Sequence, residues 1–209
     1  MISMNLNLIY LVGGLYIYMK EILCFGDSNT YGLIPGTTSR FDRDTRWTGI
    51  LESELFSKGY KIVEEGLCGR TTIFEDELRD NRRGVDMLPA LLESHNPIDY
   101  VILMLGTNDC KTYYNASAGL IGKLSILLMS PIVLGDEVWK PEYDPEFNKT
   151  SVKTSHKLKD VYKKIAKKYG CHFLAASDAA SYSDDDMEHM DAIGHRHLAD
   201  AILNLGLFN

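Results

Sequence analysis

The chain has 209 residues, of which 45% are hydrophobic and 24% are charged. This length and composition suit one globular domain with a sizeable core. The formal net charge of −7 argues against a nucleic-acid backbone as partner, because such a partner requires a clustered basic surface. Cys24, Cys68, Cys110 and Cys171 are widely spaced, which fits a reducing, cytoplasmic location.

Residues 1–18 are apolar but contain no lysine or arginine, and no clear small-residue cleavage site follows them. They make a poor signal peptide, and Gly13 and Gly14 interrupt the run too early for a stable membrane span. Met19 directly precedes the first strand of the predicted domain. We expect residues 1–18 to be an N-terminal extension or mobile arm, and residues 19–209 to form the single domain.

Short apolar runs recur along the chain, and each is followed by polar or glycine-rich residues. The runs are Ile22 to Phe25, Lys61 to Val63, Tyr100 to Leu105, Ile126 to Leu134 and His172 to Ala175. Continuous rather than alternating apolarity is typical of strands that are buried on both faces. The pattern therefore predicts five parallel strands.

Helix-period patterns lie between and after these strands. The predicted helices are Arg46 to Ser57, Asp86 to Ser94, Val152 to Tyr169 and a last one that begins at Asp191 and ends before Gly206. Alternating strands and helices imply right-handed crossovers and a parallel sheet covered on both faces. The sequence thus predicts an α/β fold, a three-layer α/β/α sandwich, with ligands beyond the carboxyl ends of its strands.

Four polar segments leave the predicted strands at this same edge of the sheet. The first is Asp27-Ser28-Asn29, the second (EEGLCGRTT) contains Gly69, the third (GTNDC) contains Asn108, and the last (SDDDMEHMDAIGHRH) contains Asp186 and His189. Segments that only turn the chain are not expected to share side chains suited to one reaction. The edge is therefore the predicted functional site.

Acyl transfer by a serine needs a nucleophile, a base, a carboxylate that orients the base, and hydrogen-bond donors for the oxyanion. Ser28 is the candidate nucleophile, at a strand-to-helix turn, and His189 is the candidate base. Asp186 precedes His189 by three residues, so a helical turn or tight loop places its carboxylate beside the imidazole. The predicted oxyanion donors are the backbone N–H groups of Ser28 and Gly69 and the side-chain amide of Asn108.

The chain resembles the SGNH group of GDSL-type esterases and lipases. The residues that carry this resemblance are Gly26-Asp27-Ser28, Gly69, the LGTND run with Asn108, and the Asp186-x-x-His189 pair, in that order. The stretches ILCFGDSNTYG, RWTG and VILMLGTND are similar to its arylesterase, acyltransferase and perhydrolase-like members, and the resemblance covers residues 20 to 203.

This resemblance implies a flavodoxin-like sheet with the SGNH hydrolase fold. It also implies a serine ester hydrolase that uses no metal or other cofactor and cleaves small or short-chain acyl esters. By the same resemblance, Ser28, Asp186 and His189 form the triad, and Ser28, Gly69 and Asn108 form the oxyanion hole. An acyl-enzyme intermediate would allow acyl transfer to other acceptors besides water.

One departure from the family concerns the connection between Asn108 and the strand near Ile126. The family places a long helix there, whereas only DCKTYYNASAGLIGKLS intervenes in this chain. A parallel crossover generally needs about a dozen or more residues, so this one has room for a short helix only. We expect a thinly covered sheet face, or one covered by another subunit of a homo-oligomer.

Several aromatic residues are candidates for lining an acyl or alcohol pocket, with core packing as the alternative for each. These residues are Tyr31, Trp47, Tyr113, Tyr114 and Trp139. The segment 134–147 follows the fourth strand of the predicted sheet at the same edge. Its prolines and charges indicate a rim loop over the site.

Other charged residues of the polar segments have predicted structural roles. Asp27 and Asp109 are expected to accept hydrogen bonds that hold their loops, because a carboxylate at a strand end satisfies free backbone N–H groups. Arg70 is expected to pair with a nearby acid, for example Asp76 or Glu75.

Other functions fit part of the same residue set. Asp27, Asn108, Asp109, Asp186 and His189 are also ligand types for hard metals, so a metal-dependent phosphoesterase is an alternative. A non-catalytic carbohydrate-binding relative is another, although the whole triad and oxyanion set is present. The absence of a G-x-S-x-G elbow around Ser28 argues against an α/β-hydrolase proper. The predicted partner is a small-molecule ester, with no nucleic acid and no stable membrane insertion.

Overall fold

The computed structural model describes residues 9–12, 15–112 and 125–208. Near the amino terminus, strands β1 (Ile9–Val12) and β2 (Leu15–Tyr18) pair antiparallel and form a separate two-stranded sheet. No regular structure was expected for this segment, although both strands are rich in the β-branched and aromatic residues that favour sheets. The division of the chain at residue 18 stays a prediction.

The central sheet consists of five parallel strands. They are β3 (Lys20–Gly26), β4 (Tyr60–Gly66), β5 (Tyr100–Met104), β6 (Ser125–Ser130) and β7 (His172–Ala175). Their order across the sheet is β4-β3-β5-β6-β7, which is flavodoxin-like and places a topological switch point beside β3. Gly26 is in register with Gly66 on one side and Met104 on the other, so three strands end together at this point.

Helices cover both faces of this sheet. They are α1 (Ser28–Tyr31), α2 (Trp47–Leu55), α3 (Gly84–Ser94), α4 (Lys149–Tyr169) and α5 (Ala192–Asn204). Alternate residues of a strand point to opposite faces. Accordingly, Cys24 packs with residues of α2 and α5, whereas Leu23 packs with Leu88 and Leu92 of α3. The predicted three-layer α/β/α sandwich is therefore confirmed.

The helix ends follow from identifiable capping residues. Helix α4 begins three residues before the predicted Val152, because Asn148 Oδ1 accepts hydrogen bonds from the backbone N–H groups of the first turn. Gly170, at a φ of 70°, ends α4 as predicted. Asp191 caps α5, also as predicted. The last residue of this helix is Asn204, so Leu205 lies just outside it and is 38% exposed.

Strand β6 is shorter than the apolar run that predicted it. The run continues to Leu134, whereas the strand ends at Ser130, because Pro131 has no N–H group for the ladder. Leu134 stays buried and packs with Val138 and Phe147 in a second apolar cluster beyond the sheet edge. Apolarity at this point therefore marks burial in a loop rather than a strand.

The short crossover predicted between Asn108 and β6 falls mainly on residues 113–124, outside the described residues. Its effect on the coverage of the sheet and on assembly therefore stays a prediction. Over the ranges that the structure describes, none of the helices combines the length and apolarity needed to cross a membrane.

Candidate active site

Ser28 lies where the chain changes abruptly from strand to helix at the end of β3. Asp27 caps the short helix α1, and its Oδ1 accepts a hydrogen bond from the Asn29 N–H at 3.0 Å. Gly26 is needed before it, since a Cβ there would lie 2.6 Å from the Met104 carbonyl oxygen. This tight turn places Ser28, which is 3% exposed, at the carboxyl edge of the sheet.

The loop from Asp186 to His189 is organised around one carboxylate. Asp186 Oδ1 accepts hydrogen bonds from the backbone N–H groups of Glu188 and His189, at 3.0 and 2.9 Å. Its Oδ2 lies 2.8 Å from His189 Nδ1 and also accepts a hydrogen bond from the Gly36 N–H at 2.9 Å. One side chain thus folds the loop and orients the imidazole.

The structure brings the serine and the histidine together across 161 positions of sequence. His189 Nε2 lies 2.8 Å from Ser28 Oγ, while its other ring nitrogen faces Asp186. Asp184 and Asp185, the neighbouring acids of the same run, are exposed. The three side chains therefore form one continuous line at the edge predicted from the sequence.

The electrostatics of this line favour an ion pair. Burial raises the pKa of Asp186. The hydrogen bonds that its carboxylate accepts and the charge of His189 have the larger, opposite effect, so the pKa of Asp186 is lowered to about 2. Burial lowers the pKa of His189. The nearby carboxylates of Glu188, Asp186 and Asp27 have the larger, opposite effect, so the pKa of His189 is raised to about 9. The surrounding carboxylates therefore favour the protonated form of the imidazole.

Donors for an oxyanion lie on the loops that follow β3, β4 and β5. Among the described residues, no acceptor is found for the backbone N–H groups of Ser28 and Gly69. Gly69 has a φ of +79°, in the left-handed region that favours glycine. Asn108 is buried, and its Nδ2 donates to the Arg70 carbonyl oxygen at 3.1 Å. Its side-chain amide is therefore held in a fixed orientation.

Arg70 does not pair with Asp76 or Glu75, which bind Arg79 and Arg83 instead. Its guanidinium lies over the Phe25 ring at 4.1 Å and donates to the carbonyl oxygen of Gly26 at 2.9 Å. Since this carbonyl is at the end of β3, Arg70 ties the loop after β4 to the strand that precedes Ser28. The expectation of an acidic partner was wrong because backbone carbonyls occupy that position.

The two aspartates with predicted loop-holding roles both accept backbone hydrogen bonds. Asp109 accepts from the Thr72 N–H at 2.9 Å, which joins the loop after β5 to the loop after β4. Asp27 has no exposed surface, and burial, opposed by the Asn29 N–H, raises its pKa to about 7. Asp27, the residue before Ser28, therefore holds a proton more readily than an exposed aspartate does.

The aromatic residues proposed as pocket lining have different positions. Trp47 has no exposed surface and packs in the main core, with its Nε1 donating to the Asn29 carbonyl oxygen at 3.2 Å. This is the core packing that was the alternative to pocket lining for this residue. Tyr31 is partly exposed beneath the Arg40 guanidinium, and Trp139 packs on the second apolar cluster. Tyr113 lies outside the described residues.

The segment 134–147 lies against the histidine loop. The Gly135 N–H donates to the Met187 carbonyl oxygen at 2.8 Å. Lys111, which is buried, forms an ion pair with Glu146 and lies 4.0 Å from Asp144. A charged rim therefore borders the site on this side.

Sequence reasoning overlooked Glu188, whose Oε1 lies 3.9 Å from His189 Nε2. Its side chain is 9% exposed, and burial raises its pKa. The available signal was an acid next to the histidine within the D-x-x-H spacing. That spacing specifies Asp186 and His189 but leaves open where the intervening side chains point.

Comparisons with known proteins agree with this geometry. The model of the GDSL-like lipase/acylhydrolase family matches residues 24–202. The aryl esterase of M. smegmatis is 31% identical, with a TM-score of 0.79 over 90% of this chain and 98% of that chain. A putative arylesterase from Agrobacterium tumefaciens is 32% identical, with a TM-score of 0.79 over 91% of this chain and 100% of that chain.

A third structure, the carbohydrate acetylesterase Est24 from Sinorhizobium meliloti, is 33% identical, with a TM-score of 0.78. It covers 90% of this chain and 98% of its own. A comparison with curated proteins gives no match. The resemblance seen in the sequence is confirmed: the chain belongs to the GDSL-like lipase/acylhydrolase family and is a carboxylic ester hydrolase.

Proposed function

We propose that Ser28 is the nucleophile of this ester hydrolase, His189 its general base and Asp186 the carboxylate that orients the base. The observation that carries this assignment is the line of two 2.8 Å contacts, from Asp186 to Nδ1 and from Nε2 to Ser28 Oγ. Such a line meets the geometric requirement for serine activation, in which one group holds the base and the base reaches the hydroxyl.

In the first half of the reaction, neutral His189 accepts the Ser28 hydroxyl proton at Nε2 while Oγ attacks the ester carbonyl carbon. The imidazolium that forms keeps its Nδ1–H donated to Asp186, whose negative charge stabilises it. The carbonyl oxygen becomes an oxyanion. His189 then gives the Nε2 proton to the leaving alcohol, and the acyl group stays on Ser28.

The oxyanion accepts hydrogen bonds from the backbone N–H groups of Ser28 and Gly69 and from the side-chain amide of Asn108. Neither N–H group has an acceptor among the described residues, and this supports the assignment, because buried donors normally have a partner. Loss of one such donor costs about 3 kcal/mol in the reaction barrier. Glycine at position 69 also leaves room for the approaching carbonyl group.

In the second half, a water molecule gives a proton to His189 Nε2 and its oxygen attacks the carbonyl carbon of the acyl group on Ser28. The bond between that carbon and Ser28 Oγ then breaks, His189 returns the proton to Oγ, and the carboxylic acid leaves. An alcohol or a peroxide in place of water yields acyl transfer by the same steps. The balance between the two acceptors depends on how well the occupied site excludes water.

We assign small acyl groups, of which acetyl is the type, to the acid side of the substrate. Support comes from solved structures similar to this chain, which are described as an aryl esterase and as carbohydrate acetylesterases. The charged rim of Lys111, Asp144 and Glu146 favours polar alcohols on the other side of the ester. A long apolar chain gains little from such a rim.

A panel of p-nitrophenyl esters from acetate to octanoate tests this function, with Ser28→Ala as the blank. The rate is expected to fall as the acyl chain lengthens and to drop to background in the variant. Ser57→Ala, which changes an exposed serine in the short 3-10 helix that follows α2, serves as the control and should keep full activity. Wild-type activity of Ser28→Ala contradicts the proposal.

A metal-dependent phosphoesterase would respond to the same changes in the opposite way. Its activity would be lost with a chelator and kept after Ser28→Ala, whereas an enzyme with the serine mechanism keeps its activity in the presence of a chelator. Within the described ranges, no three His, Cys, Asp or Glu side chains are grouped so as to hold a metal ion. Assays with and without EDTA, on a phosphate ester and on p-nitrophenyl acetate, separate the two functions.

A further inference from the structure

Glu188 places a second carboxylate on the imidazole of His189. Asp186 contacts Nδ1, whereas Glu188 Oε1 lies 3.9 Å from Nε2, the nitrogen that faces the Ser28 hydroxyl. The backbone N–H of Glu188 donates to Asp186 Oδ1, so the triad acid holds the residue in place. The charge of Glu188 therefore acts on the nitrogen that exchanges the proton during catalysis.

The charges around His189 come from three elements. Asp186 and Glu188 lie on its own loop, Asp27 lies on the β3–α1 turn, and His195 lies on α5. Burial lowers the pKa of His195 to about 4, so this neighbour is neutral where the enzyme would work. The net field at the imidazole is therefore negative.

The charges that face Glu188 from other elements are Lys111, on the loop after β5, and Asp144, on the rim loop. Lys111 forms an ion pair with Glu146 and has Asp144 at 4.0 Å, so its charge is largely balanced by the rim. Among the described residues, the one ion pair of Glu188 itself is with His189. Over the ranges that the structure describes, no other ion pair draws this carboxylate away from the imidazole.

We propose that Glu188 is a positioning residue that stabilises the protonated form of the catalytic base from its Nε2 side, both in the resting enzyme and in the transition state. This inference rests on the proposed function. A negative charge this close to Nε2 opposes a neutral ring with its lone pair on that nitrogen. The base is therefore set to work at alkaline pH, with a strongly stabilised imidazolium as its conjugate acid.

The proposal has a distinctive pH signature. At low pH, the resting enzyme and the transition state both contain an imidazolium, so loss of the Glu188 charge changes the rate little. At high pH, the resting imidazole is neutral, and the transition state alone loses stabilisation. The Glu188→Gln variant should therefore show an acid limb at lower pH together with a lower alkaline plateau.

The experiment is a profile of kcat/KM for phenyl acetate between pH 5 and 10. We expect the acid limb of Glu188→Gln to move down by about one pH unit and the plateau to fall by about tenfold, with low-pH rates nearly unchanged. A residue with a merely structural role would lower the rate at every pH without moving the limb. That outcome, or an unchanged profile, overturns the proposal.

Glu142→Gln is the matched control, because Glu142 is an exposed acid of the rim loop. Its pH profile should coincide with that of the wild type. An equal shift in this variant would mean that the pH of the acid limb depends on net charge rather than on the position of Glu188. This result also overturns the proposal.

A second measurement needs no activity. The imidazole of His189 is titrated by NMR in Ser28→Ala, with and without Glu188→Gln, and its titration should move to lower pH in the double variant. Unchanged titration of His189 contradicts the role of Glu188. Retained esterase activity in Ser28→Ala contradicts the proposed function instead, so the two failures are distinguishable.

Discussion

Met190 donates its backbone N–H to Asn29 Oδ1 at 3.0 Å, which joins the residue after His189 to the residue after Ser28. Asn29 also accepts a hydrogen bond at its backbone oxygen from Trp47 Nε1 and is 2% exposed. The alignment of Ser28 with His189 therefore depends on a third contact between the same two segments. Together, the two hydrogen bonds of Asn29 tie the turn that holds Ser28, the loop that holds His189 and the core into one unit.

Asn29→Ala removes this contact without touching the triad. We expect kcat for phenyl acetate to fall about tenfold or more, because small displacements of reacting groups are costly, while KM changes less. Steady-state kinetics at the pH optimum measures both. Asn204→Ala, at the exposed end of α5, is the control. If Asn29→Ala keeps the wild-type kcat, the contact does not align the triad.

Asp186→Asn keeps an oxygen for the loop N–H groups but removes the negative charge beside Nδ1. We expect kcat to fall about 10³–10⁴-fold, because the amide neither selects the reactive tautomer nor stabilises the imidazolium. Asp184→Asn, an exposed neighbour, should keep its activity. Near-normal kcat in Asp186→Asn would mean that another group, such as Glu188, orients the base.

The carboxyl-edge rule explains why distant residues of the site were predictable from sequence. Parallel strands end at one edge, so Ser28, Gly69, Asn108 and His189 had to lie near one another once the strands were recognised. The D-x-x-H spacing likewise selected Asp186 from three consecutive aspartates. These predictions required only the path of the chain, and not the direction in which each side chain points.

Predictions that depended on side-chain direction were less successful. Trp47 was a candidate for the pocket, but it begins α2 and faces the core, where its ring is fully covered. Arg70 was given an acidic partner, yet it binds carbonyl oxygens at the end of β3 and β4. Glu188 went unnoticed, because burial of an acid against an imidazole is decided by loop conformation. Local spacing does not encode that conformation.

Gly69→Ala tests the left-handed conformation in the oxyanion loop. A Cβ at this position would lie 2.9 Å from the Arg79 guanidinium, so both the backbone and a neighbouring charge must move. We expect kcat to fall by about 10–100-fold, because the 69 N–H is displaced from the oxyanion. Steady-state kinetics with phenyl acetate provides the measurement.

Gly170→Ala is a matched control, because Gly170 has a φ of +70° and open space around its Cβ position. The two substitutions share the cost of a left-handed alanine, about 1 kcal/mol in the free energy of unfolding. Gly170→Ala should therefore lose stability and keep kcat. Equal kcat values in the two variants would exclude a special role for position 69.

The raised pKa of His189 also predicts how the free energy of unfolding depends on pH. The pKa of His189 is raised to about 9, so its contribution to stability is fully present below the unfolded value of about 6.5. The contribution is lost as the pH rises through about 9. The free energy of unfolding of the wild type, relative to His189→Gln, should therefore decrease by about 1–3 kcal/mol between pH 6 and pH 10. Urea denaturation at both pH values measures this difference, and a constant difference would mean that His189 does not gain a proton on folding.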